Sequence, residues 1–425
     1  MIALRTSERK QFKDCQWKWE RNYLDQLTPK HENSTALWFG TGIHLALEKY
    51  YIQGEKRGVD PVETWERYVD ETSGDAHYIN TYHGGDSTFA VEARELGSAM
   101  LQSYVEEYGK EPWIKVIATE MDFQIGINYP DFYADENGVQ IRKEKGVYVG
   151  TMDLVYRDLR DGKVYVMDHK TCRALGSANT QYLPLDDQAG AYYALARTAL
   201  RKKGLIGPKE TIAGVVYNYL VKSLPDSRPR NKDGLATNKP TKAHYIEQLK
   251  AHGLPVTNVS YATPTKGDVV ATLERAGVEF KKSASKADLE ALCKAKGLDI
   301  ETEKIEKDKS VAELEATATK AGLTIYGEIS ASQPAKRFER ITVKKSAKQQ
   351  NNQIKRIADD FGAMSLVRNN IVRATKSPSS SCTFCPFQEI CEIDERGGDY
   401  TDLIDTLYTE WDPYATHRKV LNEAR

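Results

Sequence analysis

Residues 146–171, GVYVGTMDLVYRDLRDGKVYVMDHKT, constrain this chain more than any other stretch. Both arms are rich in Val and Tyr, and the connection Leu159-Arg160-Asp161-Gly162 carries an Asp-Gly turn signal, so the segment reads as a β-hairpin. If Asp158 pairs with Lys163 across the loop, Asp153 falls opposite Asp168; a register two residues different sets Asp153 opposite Lys170. In either register Asp153, Asp168 and Lys170 share one face, because side chains alternate along a strand and cross-strand partners point the same way.

Carboxylates held a few ångströms apart repel and raise each other's pKa, so the convergence costs free energy unless a cation offsets it. Oxygen donors suit a hard divalent ion such as Mg²⁺ or Mn²⁺, and a neighbouring Lys can orient a water or stabilise charge developing on a phosphoryl group. The alternative from these residues alone is a solvent-facing hairpin with an ordinary cross-strand ion pair.

At 425 residues the chain is long enough for two or three domains. A net charge of -1 means that any nucleic-acid contact must come from local patches, because no global basic field exists. The start, MIALRTSERKQFKD, is too charged for a signal peptide, and the longest apolar run, near residues 212–221, is too short to cross a bilayer. The expected location is the cytoplasm. Six cysteines in so long a chain do not make a disulfide scaffold, so clustered ones read first as metal ligands.

Residues 10–23, KQFKDCQWKWERNY, read as a basic and aromatic helix carrying Cys15. In residues 39–51, FGTGIHLALEKYY, a second helix places His44 and Glu48 on one face. Residues 61–72 and 90–108 read as helices around a polar loop, and residues 116–127 as a strand whose Glu120 could approach the hairpin carboxylates or lie exposed. Residues 186–203, DDQAGAYYALARTALRKK, form a helix that is acidic at its start and basic at its end, with Gln188 and Tyr192 one turn apart. A strand at 212–222 follows.

The composition then changes. TKGDVVATLERAGVEF from Thr265, SKADLEALCKAKGLDI from Ser285 and SVAELEATATKAGLTI from Ser310 each open with Ser or Thr, place an acid three residues on, and stop at Gly277, Gly297 or Gly322. The first two copies resemble the helix–extended-loop–helix units of SAP and LEM-type modules, which serve in DNA binding, in protein interaction or as spacers. A strand at 337–345 and a long polar helix at 346–370 lead to SPSSSCTFCPFQEICEI. There Cys382, Cys385 and Cys391 stand at C-x2-C-x5-C, close enough to share a metal centre. A fourth ligand has three candidates, Cys15, Cys172 and Cys293, and no second cysteine pair or His lies nearby for zinc.

The order His44, Asp153, Asp168-x-Lys170, Gln188-x3-Tyr192, with an early Cys and a C-terminal cysteine triplet, resembles the PD-(D/E)XK nucleases of the RecB-like group. Within it the iron–sulfur members are the most similar: the AddB nuclease domain, the CRISPR-adaptation nucleases and related phage exonucleases. The resemblance covers residues 10–222 and 337–395. One departure is Asp168, where the family more often has Glu.

The resemblance implies an α/β fold, a mixed central sheet from strands near 116, 147, 163, 212 and 337 flanked by helices at 40–57 and 186–203. It divides the chain into a nuclease core with its N-terminal cysteine (1–245), a helical repeat insertion (260–330) and a segment completing the core and the cysteine site (335–425). It implies that His44, Asp153, Asp168 and the backbone carbonyl of His169 bind Mg²⁺ or Mn²⁺, that Lys170 positions the attacking water, and that Gln188 and Tyr192 hold the strand or Lys170 beside the scissile phosphate. Cys15, Cys382, Cys385 and Cys391 would hold a [4Fe–4S] cluster. The expected function is metal-dependent exonucleolytic hydrolysis of DNA, chiefly at single-stranded ends, in recombination, repair or phage DNA processing. The expected partners are DNA and a helicase or recombination protein; no phosphate-binding Gly-x4-Gly-Lys-Ser/Thr loop occurs, so the chain has no helicase motor of its own. The alternatives are a non-cleaving DNA-end binding or assembly factor and a zinc-stapled endonuclease.

Overall fold

The hairpin forms at the centre of a six-stranded mixed sheet. The computed structural model describes residues 2–30, 35–73 and 88–417, so the polar loop expected between the helices at 61–72 and 90–108 lies outside the described residues. The strands are β1 (Ala3–Leu4), β2 (Ile114–Asp135), β3 (Gly138–Asp158), β4 (Val164–Cys172), β5 (Ile212–Val221) and β6 (Phe338–Val343). β2 pairs antiparallel with β3 from Ile114↔Asp158 to Asp135↔Gly138, and the sheet then runs β1-β3-β4-β5-β6. β4 and β5 are parallel, joined through a helix as a parallel crossover requires. The mixed sheet between helices agrees with the α/β expectation.

Two layers cover the sheet. Helices α2 (Thr35–Tyr50), α3 (Pro61–Ser73) and α4 (Thr88–Tyr108) pack on one face through Ile43, Leu47, Trp65 and Tyr104 against Leu154, Met167 and Val216. On the other face α5 (Asp187–Lys202) and α6 (Ala347–Arg368) bury Leu195, Leu200 and Phe361 against Val155, Val166 and Tyr217, with Phe12 of α1 (Thr6–Asp14) at the edge. The alternation along β4 assigns each layer, since Val164 and Val166 face α5 while Met167 faces α2. Helix α5 begins where the sequence says it should. The Asp186 side chain accepts the Ala189 N–H at 2.8 Å, and Arg201 and Lys202 close the last turn.

One helix differs from expectation. Cys15 does not lie within a helix over 10–23: α1 stops at Asp14, Cys15 is extended (φ -163°), and a short turn of helix resumes at Gln16–Trp19. The break has a tertiary cause, because the Trp17 N–H bonds to the Thr375 carbonyl and ties this joint to the C-terminal segment.

Residues Asp226–Pro334 form a separate unit. Its helices Lys266–Arg275, Lys286–Ala295 and Val311–Lys320 carry reciprocal capping boxes at Thr265/Asp268, Ser285/Asp288 and Ser310/Glu313. A fourth helix of the same kind, Lys242–Ala251, is capped by Thr241 with His244 in place of the acid. All four are followed by a glycine at positive φ, at Gly253, Gly277, Gly297 and Gly322. Lys266–Arg275 packs on Lys286–Ala295 through Leu273, Leu289 and Cys293, while Tyr245 and Leu249 of the fourth helix pack on Leu314 and Ala318 of the last. The unit therefore starts before residue 260, because Lys242–Ala251 completes a core that 260–330 would leave open.

Excising 226–334 behind a short Gly/Ser bridge is expected to leave the remaining protein folded. The two ends already meet, with the Arg337 side chain on the Ser223 carbonyl at 2.6 Å and the Val221 N–H on the Arg337 carbonyl at 2.8 Å. Removing only 263–328 should give insoluble protein by exposing Tyr245 and Leu249. Solubility and thermal melts of both deletions check this, and a soluble 263–328 deletion would contradict the packing argument.

Candidate active site

The strands β3 and β4 pair from Arg157↔Val164 to Leu154↔Met167, with the Asp158 N–H on the Lys163 carbonyl at 2.9 Å. Of the two registers open to the sequence this is the one that faces Asp153 with Asp168. At that pair the ladder ends and the strands part. The Asp153 Oδ2 then accepts the His169 N–H at 2.8 Å, and Lys170 Nζ stands 2.7 Å from Asp168 Oδ2. Both carboxylates are buried, Asp168 to 1% exposure.

Because the strands part here, helices from both layers reach the same point. From α2, His44 approaches with Nε2 2.9 Å from the His169 carbonyl and Nδ1 3.4 Å from Asp153 Oδ2. A carbonyl only accepts, so Nε2 carries the proton and the Nδ1 lone pair faces the carboxylates. From α5, Gln188 spans the site: its Oε1 accepts from Lys170 Nζ at 3.0 Å and its Nε2 donates to Asp168 Oδ1 at 2.8 Å and lies 3.0 Å from the Tyr192 hydroxyl. The ammonium and the carboxylate fix that amide's orientation. Tyr192 in turn donates to the Thr151 carbonyl at 2.6 Å, pinning β3 two residues ahead of Asp153.

Glu120 joins this group. Thr119 pairs with Leu154 and Met121 with Met152, so Glu120 stands opposite Asp153, in left-handed backbone (φ +40°) just beyond a register shift between Val116 and Ala118. Such a conformation costs about 1–3 kcal/mol and is concentrated at functional sites. One ligand atom each from His44, Glu120 and Asp153 lies within 4.8 Å of the other two. A nitrogen and two carboxylate oxygens at this spacing fit a divalent ion of the Mn²⁺ or Mg²⁺ type. Asp168 is beside this trio, with its oxygens engaged by Gln188 and Lys170, and the His169 carbonyl receives the His44 N–H.

The electrostatics follow from crowding. Burial and then the Asp168 charge push Asp153 up to about 6, and burial and then the Asp153 charge push Glu120 up to about 8. Burial opposes the Lys170 ammonium, but Asp168 and Asp153 outweigh it and the net shift is upward, so Lys170 acts as a donor and not as a free amine. The unfolded carboxyls release their protons near about 4. Between that value and the folded ones the folded state binds more protons, so this contribution to metal-free stability falls as pH rises through about 6 and about 8. A divalent ion takes the place of those protons. The rise in Tm on adding Mn²⁺ is therefore expected to be larger at the upper of these two pH values than at the lower; calorimetry giving equal rises at both would contradict the charge crowding.

A cleft of about 960 Å³ opens from Lys170, Gln188 and Tyr192, with Arg5, Lys10 and Lys13 on another wall and the rings of Phe123 and Tyr182 also lining it. A second cavity, of about 660 Å³, is lined by Cys15, Cys382, Cys385 and Cys391 together. All four are free thiols, and Cys15, Cys385 and Cys391 pack on a small core of Trp17, Phe387 and Ile390. The Ser379 N–H points at Cys382 Sγ at 3.4 Å, and Lys10, Lys18 and Lys376 line the cavity. Those donors would offset thiolate charge, as a thiophilic metal centre requires. Of the other two cysteines, Cys293 is buried in the core of the separate unit and Cys172 ends β4.

Among the described residues no helix is long and apolar enough to cross a membrane. No curated protein matches the chain. A family profile, that of the PD-(D/E)XK nuclease superfamily, matches residues 6–392 and so spans β2 to β6, the carboxylate site and the cysteine triplet. With paired strand carboxylates, a lysine two residues on and a site fit for a divalent ion, the chain belongs to the PD-(D/E)XK nuclease superfamily, metal-dependent hydrolases of phosphodiester bonds in DNA.

Proposed function

We propose that the protein is an exonuclease of the RecB-like iron–sulfur group that degrades DNA from single-stranded ends, in recombination, repair or phage DNA processing. The cleft carries this reading. Its cationic residues Arg5, Lys10 and Lys13 suit a phosphate backbone, and the exposed ring of Tyr182 offers a face on which an unpaired base stacks, an arrangement suited to a single strand. Since the chain has no nucleotide-hydrolysing loop, a separate helicase would supply unwound strand.

In this reading His44, Asp153 and Asp168, with the His169 carbonyl and Glu120 alongside, hold Mg²⁺ or Mn²⁺. When bound, the ion polarises the phosphoryl oxygen and acidifies a water. Lys170 orients that water and donates to the charge developing on the phosphoryl oxygens. Gln188 holds the Lys170 ammonium on line, and Tyr192 keeps β3 in place by its bond to Thr151. Cys15, Cys382, Cys385 and Cys391 hold a [4Fe–4S] cluster with a structural role.

The test is digestion with Mn²⁺ of end-labelled linear single strands, linear duplex and circular single strands of the same sequence. Loss of the linear single strand with the circle intact is expected. Cleavage of the circle at a comparable rate would replace the exonuclease with an endonuclease.

A further inference from the structure

The residue between the catalytic Asp and Lys has a side chain that the reaction as described does not use. His169 turns its N–H to Asp153 and its carbonyl to His44, so its peptide holds two proposed metal ligands at once. Its ring goes to the α2 face of the sheet, edge-on to the His44 ring at 5.9 Å, where it stacks on Tyr51 at 16° and 6.1 Å between centroids. There Asn218 Nδ2 lies 2.8 Å from His169 Nδ1 and donates to the Tyr104 hydroxyl at 3.0 Å. Asn218 Oδ1 accepts from Arg340 Nε at 3.1 Å, which fixes the amide and makes Nδ2 the donor to His169. The ring is thereby held as the Nε2–H tautomer with Nδ1 accepting.

Behind Asn218, Arg340 of β6 is locked by Glu111, by the Tyr104 hydroxyl at 2.7 Å and by the Tyr108 ring at 3.7 Å. The Tyr51 hydroxyl closes the circuit on Glu111 at 2.6 Å. Asn218 is fully buried, and Glu111 is 1% exposed. A buried ion pair and polar network of this size costs desolvation that an apolar core would avoid, which calls for a reason beyond packing. That reason is the backbone of residue 169, on which the network terminates.

We propose that His169, held by Asn218 and Arg340, is a positioning residue for the metal site: the network sets the ring, the ring sets the 169 peptide, and that peptide sets Asp153 and His44. The proposal rests on the metal site described above. His169→Phe keeps the stack on Tyr51 and removes the acceptor. Asn218→Asp is isosteric and can still receive the Arg340 Nε–H, but has no N–H to offer the His169 ring. Outer-layer partners of metal ligands typically contribute about 10–100-fold in metal affinity. Both variants, matched to the wild type in circular dichroism, are therefore expected to bind Mn²⁺ at least about tenfold more weakly by titration calorimetry and to give an altered bound-Mn²⁺ paramagnetic resonance spectrum. His169→Asn, which restores a side-chain acceptor, should recover part of the loss. Wild-type Mn²⁺ affinity and spectrum in both His169→Phe and Asn218→Asp would overturn the positioning role alone. A wild-type protein that takes up no Mn²⁺ would overturn the metal site, and the proposal with it. Should His169→Phe not fold, Asn218→Asp decides the matter.

Discussion

Asp153→Asn, Asp168→Asn and Lys170→Ala are each expected to lower DNA cleavage by at least about 10²-fold, because metal binding and water activation act as a unit. The structure separates this loss from unfolding. Asn at 153 keeps an oxygen for the His169 N–H, and Asn at 168 keeps one for Gln188, so the hydrogen bonds that hold the strand ends survive. Removing one of two buried like charges also relieves the crowding that pushes Asp153 upward. Metal-free Tm for Asp153→Asn should therefore equal or exceed that of the wild type while cleavage is lost, whereas Asp168→Asn also strips Lys170 of its ion pair and should lower Tm. Lys170→Ala removes the partner of Asp168 and should lower Tm, yet leave DNA retention in the cleft, where Arg5, Lys10 and Lys13 remain. Substantial cleavage by Lys170→Ala would remove the water-positioning role from this residue.

The second large effect is expected at Cys15. It lies nearly the whole chain away from Cys382, and a metal centre joining them removes a large loop-closure entropy from the unfolded state while coupling ligation to folding. Burial, with the neighbouring thiol of Cys15 contributing, pushes Cys385 and Cys391 upward, so the empty thiols hold their protons until a metal displaces them. Anaerobically purified protein is expected to be brown with about four irons, in keeping with a cubane on four thiolates. Cys15→Ser should lose colour, iron and thermal stability together, whereas Cys172→Ser and Cys293→Ser should keep all three, since neither side chain lines the cavity. Iron analysis and melts of the three variants decide it. A colourless wild-type protein with one zinc, or a fully loaded Cys15→Ser, would contradict the ligand set.

What the sequence made legible is what short-range chemistry dictates. The Asp161-Gly162 turn marked the hairpin and put Asp153, Asp168 and Lys170 on one face in either of two registers, and the Asp158–Lys163 pair of the structure selects the one that brings Asp153 to Asp168. The charge gradient of residues 186–203 located α5, and its spacing put Gln188 and Tyr192 on one face. What stayed hidden depends on long-range pairing. Glu120 reads in sequence as either approaching the carboxylates or lying exposed, and only the long β2–β3 register, which sets it opposite Asp153 in left-handed backbone, decides between the two. Glu111 and Arg340 are unremarkable polar residues far apart in sequence, and only burial behind His169 joins them. The helix starting after Thr241 escaped because His244 stands where the other three copies have an acid. Cys15 was placed in a helix because nothing local signals the bond from Trp17 to Thr375 that breaks it.

The central claim is that a divalent ion sits where β3 and β4 part. Crystals soaked in Mn²⁺ and measured at the manganese edge test it most directly. The account predicts an anomalous peak bounded by His44 Nδ1, Glu120 and Asp153, with Asp168 beside it, and no such peak in Asp153→Asn crystals. A wild-type map with no peak between these residues, from protein that cleaves DNA under the same Mn²⁺, would contradict it.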